Sequence, residues 1–185
     1  RAGALYHDIG KIANPQCFTE NATPGVNFHA GLTPKESAQE IIRHVSDGVA
    51  LAEKYGLPEV IRDFIVTHHG TTATGYFLNT YLNAGGDPDD VADFYYDGVK
   101  PTTKEHVILM FCDAVEAASR SLKDYSSENT SSLVDGIVDG KIKEEQLGDS
   151  EMSLREIAVV KDTMKKYLQQ MYHSRVAYPK RRQKA

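Results

Sequence analysis

Six side chains along this sequence are of the types that grip divalent cations: His7 and Asp8, His44, His68 and His69, and Asp113. Neutral imidazole and carboxylate together suit first-row ions such as Mn, Fe, Co or Zn. An adjacent His-Asp pair is useful because a carboxylate has two oxygens, one for each of two bridged ions. Adjacent His68-His69 at a helix end brings two imidazoles near one ion where the local geometry lets both converge. Each feature also has a plainer reading. His44 flanks the apolar face of its helix, as structural histidines do. His68-His69 suits a helix C-terminus through the dipole alone. Asp113 sits within Met110-Phe111-Cys112-Asp113-Ala114-Val115, where a buried carboxylate is costly without a metal or an Arg partner. His29, His106 and His173 read as ordinary structural histidines.

The elements that must position these groups are helices with marked starts. Thr33-Pro34-Lys35-Glu36 has the form of a capping box with Pro at the first helical position. The predicted helix runs on through Ala38, Ile41, Ile42, Val45, Val49 and Ala52 at helical spacing and ends at Gly56. Pro58 opens a helix expected to bury Val60, Ile61, Phe64 and Ile65 before it reaches His68-His69-Gly70. Thr102-Thr103-Lys104-Glu105 predicts another box, followed by Val107, Phe111, Ala114, Val115 and Ala118. Ser153-Leu154-Arg155-Glu156 predicts a third, followed by Ile157, Val160, Met164, Leu168 and Met171. A shorter helix is expected over 132–143. Stretches 13–31 and 84–101 are rich in Asn, Pro, Gly and Asp and read as loops, and long loops in compact domains often carry function. No alternating strand pattern stands out, so the expected class is all-α. The expected organisation is one domain over 1–178 with a basic tail over 179–185.

At 185 residues the chain suits one domain with a sizeable core. A hydrophobic share of 41% with 25% charged residues excludes a disordered chain, and no apolar run is long enough to span a bilayer. With no secretory signal at its start, the chain reads as cytoplasmic. It lacks Met at position 1, and Arg1–Tyr6 reads as the late part of a helix, so it reads as a fragment of a larger protein. The formal net charge of −5 argues against binding DNA or RNA through a basic surface. An anionic substrate therefore needs local positive charge, which bound metals supply. Cys17 and Cys112 make no disulfide framework, and Cys112 reads as a small buried hydrophobe.

The order HD, H, HH, D resembles the HD-domain phosphohydrolase superfamily. Ala4-Leu5-Tyr6-His7-Asp8-Ile9-Gly10-Lys11-Ile12 carries the signature with its following Gly-Lys. Phe18-Thr19-Glu20-Asn21, Ile42-Arg43-His44-Val45-Ser46-Asp47-Gly48, His68-His69-Gly70-Thr71 and the run from Asp113 to Leu122 resemble the cytosolic HD domain of the seven-transmembrane HD family. Those proteins are membrane-anchored cyclic di-AMP phosphodiesterases of the PgpH type.

The resemblance implies a helical fold around two divalent ions, Mn or Fe, and hydrolysis of cyclic di-AMP to pApA by a metal-bridging hydroxide. It assigns His7, Asp8 and Asp113 to one ion. Asp8 bridges to a second ion held by His44, His68 and His69. The family has a further His on a preceding helix, so this chain is expected to fill the second site better and to be weakly active alone. Lys11 suits a phosphate contact, or else a solvated helix end. Glu20 and Asn21 are candidate substrate contacts. Arg120 reaches either a substrate phosphate or Glu116 at the i, i+4 spacing. Tyr95 and Tyr96 suit adenine stacking or plain packing. Other readings are a cyclic di-GMP hydrolase, a nucleotidase, a diiron oxygenase, or a non-catalytic nucleotide sensor. Oligomeric state has no signal in the sequence.

Overall fold

The structure, a computed structural model, describes residues 1–148 and 150–173. The basic tail expected over 179–185 and the His173 side chain lie outside the described residues. Eight α-helices account for most of what is described, with short 3-10 turns between them. They are α1 (Ala2–Tyr6), α2 (Pro34–Ile42), α3 (His44–Lys54), α4 (Glu59–Thr67), α5 (Gly75–Asn83), α6 (Lys104–Ser119), α7 (Ser127–Lys143) and α8 (Leu154–His173). Among the described residues the only β pairing is an isolated antiparallel bridge between Ala73 and Tyr95, so the all-α expectation holds. No helix is long and apolar enough to cross a membrane among the described residues.

The chain divides into two compact units, Arg1–Met110 with Lys141–Glu151, and Phe111–Gly140 with Met152–Ala185. In the first, Ala38, Ala52, Ile65, Phe94 and Val107 are completely buried. Each large apolar side chain so placed contributes about 1.5–3 kcal/mol. The segment that returns to this unit is tied down by Gln146, whose Oε1 accepts from the Thr71 N–H (2.9 Å) and whose Nε2 donates to Thr71 Oγ1 (2.9 Å). In the second unit, Phe111, Val115, Val134, Val138, Ile157, Met164 and Leu168 form the apolar interior. Lys161 and Lys165 reach Asp139 and Asp135 at 2.6 and 2.7 Å.

Two of the three predicted caps form as read. Thr33 and Glu36 exchange hydrogen bonds, as do Ser153 and Glu156. At α6 the cap is one residue later than predicted: Thr103 Oγ1 accepts from the His106 N–H, while Thr102 lies beside the His106 ring. The single helix expected from Thr33 to Gly56 is two helices that meet at Arg43. There the His44 ring takes the Ile41 carbonyl at 2.6 Å. α7 begins five residues before the expected 132, because Ser126 accepts from the Asn129 N–H and caps the added turn. α5 was not foreseen.

Three burial expectations fail. Val60 lies on the outer side of the first turn of α4 and is 58% exposed, and Met171 near the end of α8 is equally exposed. Cys112 is also exposed, whereas Cys17 is buried.

Candidate metal centre

The His7-Asp8 corner forms where α1 ends and a 3-10 turn, Ile9–Ile12, begins. Gly10 on that turn lies directly against the α3 backbone. A Cβ added there would stand 1.8 Å from the His44 carbonyl oxygen and 2.5 Å from the Gly48 nitrogen. Only glycine permits this crossing, and the crossing sets Asp8 beside His44. His68 and His69 follow the last turn of α4. Gly70 then turns the chain with φ +55, where a side chain would be strained and would also meet Gln146.

Three of the histidines are oriented by one device. The Nδ1 of His7 faces the Ala4 carbonyl (3.0 Å), that of His44 the Ile41 carbonyl (2.6 Å) and that of His68 the Ile65 carbonyl (2.7 Å). A carbonyl only accepts, so each Nδ1 carries the proton and each Nε2 is a lone pair. This backbone contact is the usual way in which a ligating imidazole is held in its tautomer. The His44 and His68 Nε2 atoms then face each other at 3.1 Å within the interior. Asp8 Oδ1 stands 3.5 Å from His44 Nε2 and 3.6 Å from His68 Nε2. It is buried and accepts no hydrogen bond. Two lone pairs and a carboxylate oxygen converging in a buried space repel one another unless a cation lies among them. Ligand atoms of His44, His68 and His69 all lie within 4.8 Å of one another. The donor set therefore fits a divalent ion.

The electrostatics agree. Burial, reinforced by His68, pushes the His44 imidazole down to about 4, so it is neutral at physiological pH. Burial and the neighbouring His68 and His44 hold His69 well below the ordinary range. Burial alone would raise the Asp8 carboxyl, but a proton on the facing His68 or His7 ring, and the Lys11 ammonium 2.8 Å away, each favour the ionised form and hold it far below the usual carboxylate range. Tyr96 stacks on His69 with ring centroids 4.2 Å apart, so it packs the site. It is fixed there by hydrogen bonds from the Tyr96 N–H to the Thr72 carbonyl and from the Thr74 N–H to the Phe94 carbonyl. Tyr95 points outward, 44% exposed.

Lys11 Nζ lies 2.8 Å from Asp8 Oδ2 and 2.7 Å from Glu20 Oε1. Burial would lower its pKa, but the two carboxylates raise it above the ordinary value. Asn21 is exposed close by, its N–H donating to the Phe18 carbonyl at 2.9 Å. Asp113 lies on α6 in the second unit and is partly buried. Arg120, two turns further on, makes a two-pronged pair with Glu116 at 3.0 and 2.6 Å, which is the intrahelical alternative read from its spacing.

Comparison with known proteins gives this geometry a family. The chain is 38% identical over 181 residues to the cyclic-di-AMP phosphodiesterase PgpH of Listeria monocytogenes, a match covering 97% of this chain and 25% of that protein. It is 35% identical over 181 residues to the protein of the same name from Bacillus subtilis, again covering 97% and 25%. The chain thus spans about a quarter of the length of these curated relatives. The crystal structure of the L. monocytogenes PgpH HD domain in complex with cyclic-di-AMP superimposes with a TM-score of 0.87 at 36% identity, covering 93% of this chain and 80% of that one. The model of the HD domain matches residues 1–118. On a matching family model, on relatives of this similarity and on a cluster built as described, the chain belongs to the HD domain family.

Proposed function

We propose that this chain is a divalent-metal-dependent phosphodiesterase that opens cyclic di-AMP to pApA. The observation that carries the reading is the convergence of His44 Nε2, His68 Nε2 and Asp8 Oδ1, each stripped of hydrogen-bonding alternatives by its surroundings. Relatives named as cyclic-di-AMP phosphodiesterases, and a neighbour solved with that dinucleotide, point to the substrate.

In this reading His44, His68, His69 and Asp8 would hold a divalent ion, and His7 and Asp113 are the ligands offered for a second. The donor types suit Mn or Fe. Bound there, such ions supply positive charge for the phosphoryl oxygens and a water acidic enough to deprotonate near neutral pH. The protein's own groups do the rest. The Nδ1 contacts keep each imidazole pointed inward, which removes reorganisation at the moment of reaction. Tyr96 and Phe18 keep bulk water from the His44 and His69 rings. Lys11, held between Asp8 and Glu20, turns its ammonium to a non-bridging phosphate oxygen as a point charge. Asn21 beside it contacts the same substrate. Arg120, committed to Glu116, is the least suited of the candidate contacts. The parent protein is read as membrane-anchored, with this domain in the cytosol.

The test is turnover by the Mn-loaded protein, followed by chromatography of products. The expected result is pApA from cyclic di-AMP, slower turnover of cyclic di-GMP and mononucleotides, and loss of activity in Asp8→Ala. Tight binding with no product under any metal, in a chain extended upstream to include the further His that the resemblance implies, would replace the reading with that of a nucleotide sensor.

A further inference from the structure

Three groups surround the Lys11 ammonium, and two of them come from one short run of the 13–31 segment. Lys11 Nζ donates to Glu20 Oε1 at 2.7 Å, lies 2.8 Å from Asp8 Oδ2 and stands 4.9 Å from the centre of the Phe18 ring. The run that carries Phe18 and Glu20 is itself fixed. The Phe18 N–H donates to the Pro15 carbonyl, and the Phe18 carbonyl accepts from the Asn21 N–H at 2.9 Å. The His29 Nε2 faces the Cys17 carbonyl at 2.9 Å, and Asn14 donates to Glu40 of α2 at 3.1 Å. Phe18 is buried and packs edge-on against His44. The cradle around Lys11 is therefore anchored to α2 and to the histidine cluster.

The two carboxylates on Lys11 do not have equal duties. Asp8 belongs with His7 and Asp113 in one of the groups of side chains close enough to share an ion, whereas Glu20 belongs to neither group among the described residues. A cation at the cluster draws on the charge of Asp8 and repels the neighbouring ammonium, so the hold of Asp8 on Lys11 weakens as metal binds. It makes no such claim on Glu20. A lysine is a point charge on a long flexible stem, and without a second anchor its ammonium leaves for solvent. A carboxylate is also a poor direct partner for a phosphodiester, because both are anions. Glu20 is suited to hold a cation for the substrate and unsuited to touch its phosphate.

We propose that Glu20 is a positioning residue that keeps the Lys11 ammonium beside the metal cluster and acts on the substrate only through Lys11. The assignment rests on the phosphodiesterase reading above and names what holds its phosphate contact in place. It moves Glu20 from the substrate contacts expected of the sequence to the group behind one of them.

Two measurements test it. The first needs no substrate: the Nζ–H resonance of Lys11 in 15N-labelled protein loaded with diamagnetic Zn, identified by its loss in Lys11→Met. An ammonium held in an ion pair exchanges slowly enough with water to be seen in cold, mildly acidic buffer. The signal is expected in the wild type and lost in the isosteric Glu20→Gln. Its absence from the wild type, or its persistence in Glu20→Gln, would overturn the assignment. The second is a double-mutant cycle on equilibrium binding of cyclic di-AMP to Mn-loaded protein. Glu20→Gln should weaken binding by about tenfold, the scale of one charge-assisted contact, Lys11→Met by at least as much, and the double variant no further than Lys11→Met. An equal further loss in the double variant would show that Glu20 acts on the ligand independently of Lys11, and unchanged or tighter binding in Glu20→Gln would show that it positions nothing. Either result overturns the assignment. A wild type that neither binds nor hydrolyses cyclic di-AMP would sink the phosphodiesterase reading, while the Lys11 resonance would still decide whether Glu20 holds the ammonium.

Discussion

Replacing Gly10 with alanine tests how the fold builds the site. The added Cβ would meet the His44 carbonyl oxygen at 1.8 Å and the Gly48 nitrogen at 2.5 Å, both backbone atoms that cannot rotate away. Ordinary contact begins near 3.4 Å, so the 3-10 turn and α3 must separate by roughly 1.5 Å. Overpacking of this kind costs about 1–3 kcal/mol, and a backbone-on-backbone contact belongs at the upper end. The same displacement carries Asp8 away from His44 and His68. Misplacing a reactive group by about 1 Å costs on the order of a hundredfold in rate. Urea denaturation and Mn titration of Gly10→Ala should therefore show a lower midpoint with an unchanged slope, weaker metal binding and a much lower turnover. Wild-type stability together with wild-type metal affinity would refute the view that this crossing positions Asp8.

Two further outcomes follow from the structure. His44 titrates at about 4 in the fold and at its ordinary 6.5 when unfolded, so below about pH 6.5 the unfolded chain takes up a proton that the folded chain refuses. In metal-free protein His44 alone should contribute a loss of about 3 kcal/mol as the pH falls from about 6.5 to about 4, added to the loss from His69, so His44→Leu should lose less over that range. Acid melts of the two proteins with identical pH dependence would contradict this. Gln146→Leu should cost about 1–3 kcal/mol in a thermal melt, because it leaves the part-buried Thr71 N–H without its acceptor and frees the turn behind His69.

The sequence carried the ligand types and much of the framework, for physical reasons that differ by element. Thr33 and Ser153 announce their helices because a capping box is a local, three-residue contact. α5 carried no such signal. Thr74 uses its hydroxyl on the Phe94 carbonyl instead of on its own helix, so the start of α5 has no local cap to mark it. The break at Arg43 was hidden because Ile42 and Val45 keep nearly the same periodicity on both sides of it. Val60 and Met171 were assigned to the interior on spacing alone, which marks a face without saying how far its neighbours cover it.

At the site, residue type pointed to His44, His68 and His69, but not to the Nδ1 contacts that aim them. Nor did it show the closeness of Gly10 to α3. The Nδ1 contacts are local, each to the carbonyl three residues earlier, and turn on the rotamer of the ring, whereas the Gly10 contact joins chain segments tens of residues apart. The surroundings of His29 were unreadable for the same reason: Phe77, whose ring lies 5.0 Å from it between centroids, is brought there only by the fold.

Buried imidazole lone pairs and the Asp8 carboxylate are arranged to surround a cation. Anomalous scattering from crystals of the Mn-loaded protein tests this most directly. The expected result is a peak bonded to His44, His68, His69 and Asp8, lost in His68→Ala. A well-ordered map with these side chains in place and no anomalous peak among them, at saturating Mn, would contradict it.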